Sequence, residues 1–552
     1  MILDKKRIAV LLLSLSVLTL FSFRQKLSDR YFDIIKNLDI FTTLYKELNT
    51  FYVDEINPTA LMGIGIDAML NSLDPYTNYI PEERIEDYRI MSTGQYGGIG
   101  TAVGRFDDKI VVLMTYEDGP AESAGVKIGD EIVAIDSRGI GDLSTNDINT
   151  LLKGQLGTPI AISIRRTGNK EEMTFSMNRE RISINSVPFS GMIDVKTAYI
   201  RLTEFSHGAG SEIRSALIDL KGQGAEQLIL DLRGNPGGLL NEAIDISNIF
   251  IPKGKEVVST KGKIEEWNKT YTSTKNPVDI NMPLVILISN GSASASEIVA
   301  GVVQDYDRGV LVGQKSFGKG LVQATRPLSY NSQLKLTTAK YYIPSGRCIQ
   351  AIDYSHRNED GSVGKIPDSL KSKFETKAGR IVFDGGGVSP DVETEDFKYA
   401  PITIQLIQSG FIFNYVTAYY YAHQQEVPDP ESYQLSDKVF NDFKNWIKGK
   451  DYQYKSDTEV TLEEMVAEAR KEKYYGFLKD EITALQKEIA QHKSEDIETF
   501  APEIKKAIKE ELMARYHKRQ GMIQSSFDTD AEVLKAIEVL NDQQRYQQLL
   551  RK

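Results

Sequence analysis

Cysteine is nearly absent: Cys348 is the single one in 552 residues. That excludes an intramolecular disulfide and any cysteine-based metal cluster. Histidine is scarce as well. The five histidines (His207, His356, His423, His492 and His517) form no HxxxH pair, so no metal site is expected; an organic cofactor is not expected either. No lysine- or arginine-rich block offsets a net charge of −11. Nucleic-acid phosphates therefore gain no general attraction, and nucleic acid is not an expected partner. Internal repeats and low-complexity tracts are missing.

Long apolar runs are missing too, with one exception. Lys5, Lys6 and Arg7 precede a run from Ile8 to Phe23 broken only by Ser14, Ser16, Thr19 and Ser22, the charge-then-apolar order of an export signal. The run is slightly long for a signal core and slightly short for a comfortable membrane span. Residues 1–24 are read as a signal peptide or a membrane anchor. Either reading places residues 25–552 outside the cytoplasm, in a periplasmic or other extracytoplasmic space, anchored to the inner membrane if the segment is kept.

The remainder is ordinary globular protein, 41% hydrophobic and 26% charged, long enough for three or four domains at about 150 residues each. Residues 25–91 carry helical spacing and end near a turn at Leu73–Tyr79, marked by its Asp-Pro step. Residues 92–185 are glycine-rich with short β-like runs and two interleaved helical stretches. Residues 186–395 alternate strands and helices, as an α/β core does. The apolar run Pro283–Ser289 leads into a helix with Ile298, Val299, Val302, Val303 and Tyr306 on one face. Residues 396–552 are helical and charge-rich, and the tyrosine cluster at Tyr415–Tyr421 reads as packing between helices.

Two motifs mislead. Gly313 to Lys319 fits the first seven positions of a phosphate-binding P-loop, but Gly320 cannot supply the metal-holding hydroxyl and no helical pattern comes after it. His207, Asp231 and Ser294 fall in one known triad order, yet a loop histidine and a strand-end aspartate are more often structural. A third stretch carries chemistry. In Ser289-Asn-Gly-Ser-Ala-Ser-Ala-Ser-Glu297 an apolar strand turns through small residues into a helix, whose N-terminal N–H groups favour developing negative charge. One serine would suffice to cap that helix; three stand at alternate positions. Downstream, Lys319 and Gln323 lie on one side of a glycine-flanked segment. A lysine of lowered pKa can act as general base to a serine, and a glutamine can fix the amine without adding charge.

The blocks Leu230-Asp-Leu-Arg-Gly-Asn-Pro-Gly-Gly-Leu239, Gly291-Ser-Ala-Ser-Ala-Ser-Glu-Ile298 and Ser316-Phe-Gly-Lys-Gly-Leu-Val-Gln323 resemble the C-terminal processing (tail-specific) serine peptidase family. The likeness continues through Lys335–Tyr342 and Pro344–Arg347 and spans residues 40–395. It implies an α/β multidomain chain: an N-terminal helical region, a PDZ domain, a crotonase- or ClpP-like peptidase core and a helical C-terminal region. Position by position, it implies Ser294 as nucleophile, Lys319 as general base, Gln323 as its orienting partner, and an oxyanion hole from Ala295 with Gly237 or Gly238. Tyr96, Gly97, Gly98, Ile99 and Gly100 would form the tail-binding loop of the PDZ module, with Ile148 and Leu152 lining the side-chain groove. Many relatives carry, where Lys153 stands, an arginine that in some couples this module to the active site; lysine makes a point contact where arginine makes a fork. The expected partners are protein substrates with exposed C-terminal tails, an adaptor or activator protein, and further copies of the chain. The competing readings are a catalytically silent PDZ scaffold and a small-ligand carrier on the same core.

Overall fold

The computed structural model describes residues 31–358 and 360–551; the apolar segment 8–23 lies outside them. Among the described residues no helix is long and apolar enough to cross a membrane. The chain divides into two compact units, one up to Tyr79 and one from Ile80.

The first unit is helical. One helix, α1, covers 31–51, and α2 spans Pro58–Asn71. Asn57 caps α2 by accepting from the Ala60 amide, with Pro58 at the position where a missing N–H does no harm. The expected turn comes next: Asp74 Oδ1 accepts from the amides of Tyr76 and Thr77 at 2.8 and 2.9 Å.

The second unit begins with α3 (Ile85–Thr93) and β1 (Gln95–Gly98). A small antiparallel sheet is ordered β2 (Thr101–Phe106), β3 (Lys109–Thr115), β4 (Glu131–Ile135), β5 (Pro159–Arg165), β6 (Met173–Asn178). Its strands show half-buried alternation: in β5, Ile160, Ile162 and Ile164 are buried while their neighbours are not. Two helices interleave, α4 (Pro120–Ala124), closed by left-handed Gly125, and α5 (Thr145–Leu152), started by a Ser144–Asp147 capping box. Strand β7 (Glu180–Ser183) returns to pair with β1.

The larger core runs β8 (Phe189–Met192), β9 (Thr197–Arg201), α6 (Ala209–Gly222), β10 (Gln227–Asp231), α7 (Leu240–Phe250), β11 (Glu256–Gly262) and β12 (Lys269–Thr272). It continues with β13 (Leu284–Ile288), α8 (Ala295–Asp305), β14 (Val310–Gly313), β15 (Leu321–Pro327), β16 (Gln333–Tyr342) and β17 (Val392–Glu393). Strands β8-β9-β10-β13-β14-β17 make one sheet, parallel from β9 onward. Strands β15, β16, β11 and β12 pair antiparallel in a second. A parallel sheet needs both faces covered, which is why its strands read as unbroken apolar runs. Alternate residues do serve two cores. Leu228, Leu230, Leu284 and Ile286 pack with α6, α7 and α8, whereas Ile229, Val285, Leu287, Val310 and Val312 pack against residues far downstream.

Those downstream residues belong to the helical region. Helices α9 (Pro401–Gln408), α10 (Phe411–Ala422), α11 (Asp437–Ile447) and, beyond the exposed pair α12 (Asp457–Lys471) and α13 (Tyr475–Ser494), α14 (Ala501–Gln524) share one core. The tyrosines at its heart do pack between helices: Tyr415 is buried and donates to Val439 O. Helices α15 (Ala531–Asn541) and α16 (Gln543–Leu549) instead lie on the peptidase sheet through Val533, Ala536, Val539, Leu540 and Tyr546. The β-rich module also leans on the helices. The Phe106 and Phe413 rings sit 5.1 Å apart, and Lys518, where α14 kinks at φ 57°, reaches Glu122 at 2.5 Å.

Candidate active site

The link from β13 to α8 carries the three serines, and hydrogen bonding separates them. Ser292 Oγ donates to Leu232 O at 2.7 Å and accepts from Ser289 N. Ser296 Oγ donates to Asn235 O at 2.9 Å. Both are wholly buried and hold this turn to the one after β10. Ser294 differs. Its φ is 56° and ψ −112°, a sparsely populated conformation for a residue with a Cβ. It shares a capping box with Glu297 at the start of α8, and its side chain lines a cavity of about 430 Å³.

The facing wall is the 231–239 turn. Asn235 anchors it: its backbone O accepts from Ala293 N at 3.0 Å and its Oδ1 from Gly237 N at 2.9 Å. A Cβ on Gly237 (φ 97°) would stand 2.9 Å from both Ala295 N and Ser294 Cβ, so only glycine lets the two turns close. The two glycines differ as amide donors. The Gly237 N–H is already spent on Asn235 Oδ1. Gly238, exposed on the cavity wall, and Ala295, at the first position of α8, make no amide hydrogen bond of this kind among the described residues.

Lys319 and Gln323 line the same cavity. Gln323 lies on β15 and donates from Nε2 to Thr337 Oγ1 at 3.2 Å. Glu297, which the sequence reading left unassigned, ties the two segments together. It is completely buried, and its carboxylate accepts from Ser294 N (2.9 Å), Lys319 N (2.8 Å), Gly318 N (2.7 Å) and Ser316 Oγ (2.5 Å). Burial raises its pKa, and those four donors work against the rise. Tyr341, also buried, donates to Ser294 O at 3.1 Å. Lys335 and Glu204 are further cavity residues that sequence reasoning missed; burial lowers the pKa of the first and raises that of the second, which Arg519 opposes.

The triad alternative is not assembled. His207 is exposed and does not line the cavity. Asp231 has no access to it: its carboxylate takes the Tyr199 hydroxyl at 2.5 Å and Arg233 at 2.7 and 3.0 Å. The P-loop-like stretch runs into strand β15, with no helix behind it.

In the β-rich module, both edges of β1 are in use. Gly97 pairs with Arg181 on one side and accepts from Gly154 N at 3.0 Å on the other, where Gly98 also bridges Lys153. Tyr96, Ile99, Gly100, Leu152 and Lys153 share a cavity of about 20 Å³, room for roughly one water. Gly97 lines a separate 550 Å³ cavity with Tyr96, Lys153, Glu86, Arg89 and Arg181. Gly98 lines neither. Ile148 also lines neither: it is fully buried in the module's core, because the inward face of α5 is the one that packs. Lys153 Nζ stands 5.8 Å above the Tyr96 ring.

The module order agrees with what sequence comparison finds. Peptidase family S41 matches residues 196–356, a PDZ domain residues 97–177, and the family described as "Probable PDZ-protease, C-terminal helical domain" residues 402–540. The carboxy-terminal-processing protease of Bartonella bacilliformis is 37% identical over 321 residues, 57% of this chain and 73% of that protein. A probable CtpA-like serine protease of Staphylococcus aureus is 34% identical over 315 residues, 57% of this chain and 62% of that protein. A solved photosystem II D1 C-terminal processing protease is 26% identical, covering 64% of this chain and 92% of that one with a TM-score of 0.34. With 37% identity across nearly three quarters of the first of these relatives, the chain belongs to the PDZ-containing carboxy-terminal-processing proteases of family S41, and it is a serine peptidase.

Proposed function

We propose that this peptidase captures the C-terminal tail of a protein substrate in its PDZ module and cleaves the chain through a Ser294–Lys319 dyad. Ser294 Oγ attacks the scissile carbonyl and passes its proton to the neutral amine of Lys319. The oxyanion is held by the N–H groups of Ala295 and Gly238, the leaving amine takes the proton back from Lys319, and water then hydrolyses the acyl-enzyme. Gln323, tethered to Thr337, orients the amine. The observation that carries this reading is the separation of the three serines: two donate their hydroxyl protons to buried carbonyls, and the strained third opens onto a cavity shared with a lysine. Tail capture requires α5 to move away from β2, since the cavity between them holds about one water.

The test is gel-monitored cleavage of an unstructured protein with an apolar C-terminus, by wild type, Ser294→Ala and Lys319→Ala, with free and amidated tails. Loss in both variants and slower cleavage of the amidated substrate are expected. Full activity in Ser294→Ala would sink the assignment, and a wild type that ignores a serine-directed probe would favour a silent scaffold. Export outside the cytoplasm, resting on Lys5–Phe23, is proposed on the same footing and is checked by fractionating cells that express the full chain. An activating adaptor and self-association are proposed likewise; cleavage rates with cell extract and sedimentation test them.

A further inference from the structure

We propose that Asp530 and Glu532, at the start of α15, are positioning residues for the Ser294 site, acting on both of its arms from outside the peptidase core. The inference rests on the catalytic reading above. The first arm is the turn ending at Gly238. Arg233 stands at its base, and Asp530 grips the guanidinium as a fork, Oδ1 to Nη1 and Oδ2 to Nη2 at 2.9 Å each. Glu532 takes the same Nη1. Asp231 holds the opposite edge through Nε and Nη2 at 3.0 and 2.7 Å.

The second arm is the segment leading to Lys319. Gln314 begins it, donating its amide to Ile288 O at 3.0 Å and its Nε2 to Glu532. Thr394 Oγ1 reaches the same Glu532 oxygen at 3.3 Å. One carboxylate thus binds the base of the oxyanion turn with one oxygen and the base of the lysine segment with the other. Glu297 ties the lysine segment to Ser294 from within. The two clamps together fix the spacing between the Gly238 N–H and the Lys319 amine.

This junction is built for precision more than for burial of charge. The Arg233, Asp530 and Glu532 side chains are 14, 17 and 15% exposed, and Asp530 is itself fixed as the α15 N-cap by the amides of Glu532 and Val533. Asp231 already neutralises Arg233. Loss of both downstream carboxylates therefore leaves no unpaired buried cation, and the variant is expected to fold.

The experiment compares Asp530→Asn/Glu532→Gln with Val539→Ala in the full chain. The second variant weakens the packing of α15 on the sheet without touching the clamp. Cleavage kcat and KM, the rate of labelling by a serine-directed probe, and Tm are read for each. The expected result is a kcat and a labelling rate at least tenfold lower in the double variant, with KM within twofold, while Val539→Ala keeps kcat within twofold despite a lower Tm. A double variant with kcat within twofold of wild type overturns the proposal. Equal kcat losses in both variants also overturn it, since α15 then acts through stability alone. Should the double variant not fold, Glu532→Gln, which keeps the Asp530 fork, is read against the same thresholds. A wild type that neither cleaves nor labels defeats the catalytic reading, and this proposal with it.

Discussion

Gly237 and Gly208 allow the contribution of close approach beside Ser294 to be measured apart from backbone strain. Their φ angles are 97° and 95°, so alanine meets nearly the same backbone penalty at each, about 1–2 kcal/mol. Their surroundings differ. A Cβ on Gly208 has no heavy atom within 4 Å, whereas one on Gly237 lies 2.7 Å from Ala293 O and 2.9 Å from Ala295 N. Ordinary contact is about 3.5 Å, so the two turns must part by roughly 0.5–0.8 Å. That displaces the Ala295 and Gly238 amides, which in the proposed mechanism must lie about 2.7–3.1 Å from the oxyanion. Loss of one such donor lowers kcat by about 10²–10³, or about 2.7–4 kcal/mol. Gly237→Ala should therefore lose about a hundredfold in kcat with KM little changed, while Gly208→Ala loses only about 1–2 kcal/mol of stability, the strain alone. Peptide-cleavage kinetics beside urea unfolding of both variants decide it. A Gly237→Ala enzyme within threefold of wild type, or a Gly208→Ala enzyme as impaired as Gly237→Ala, would refute the reasoning.

Three further outcomes are expected. Glu297→Gln keeps shape but turns an NH₂ toward the Gly318 N–H, one of four donors now served by the carboxylate; a stability loss of about 2–3 kcal/mol is expected in denaturant melts, and an unchanged midpoint would contradict the assigned partners. Burial alone would raise the Asp231 pKa, but Arg233 draws it down from 3.8 to about 2, so about 2.5 kcal/mol of stability is present above pH ~4 and lost as pH falls toward 2. Asp231→Asn should flatten that window in acid-unfolding curves, whatever its effect at neutral pH. A Cβ on Gly129 (φ 92°) would meet the Thr417 side chain at 2.5 Å; Gly129→Ala should lose about 2–4 kcal/mol, and adding Thr417→Ala should restore at least about 0.5 kcal/mol in a double-mutant cycle.

The sequence discloses local features and conceals those that depend on distant partners. The strand–turn–helix at 284–305 is legible because an unbroken apolar run followed by small residues has few other ways to fold. The choice of Ser294 among three serines is not legible from the residues themselves, since it depends on where Leu232 and Asn235 place their carbonyls. Glu297 is hidden differently. A glutamate three residues into a helix reads as a cap, whereas three of its four donors lie 19 to 22 residues away. Ile148 shares a face of α5 with Leu152, but it is fully buried in the module's core and lines no cavity in this closed arrangement. The two-sided demand of the parallel sheet is plain in its strands. The identity of its second cover is not, because α15 carries no mark that distinguishes it from the other amphipathic helices around it.

The distance between that sheet and its cover has a consequence for the nascent protein. Arg233 and Asp530 are 297 residues apart, an interval of about 15–60 s at ribosomal rates of about 5–20 residues per second. Once Leu287 has been made, Ile229, Val285 and Leu287 wait for most of that interval without the helices that shield them. The growing chain thus exposes an apolar sheet face until α15 and α16 are made. The same delay leaves Arg233 without its downstream carboxylates until Asp530 and Glu532 emerge.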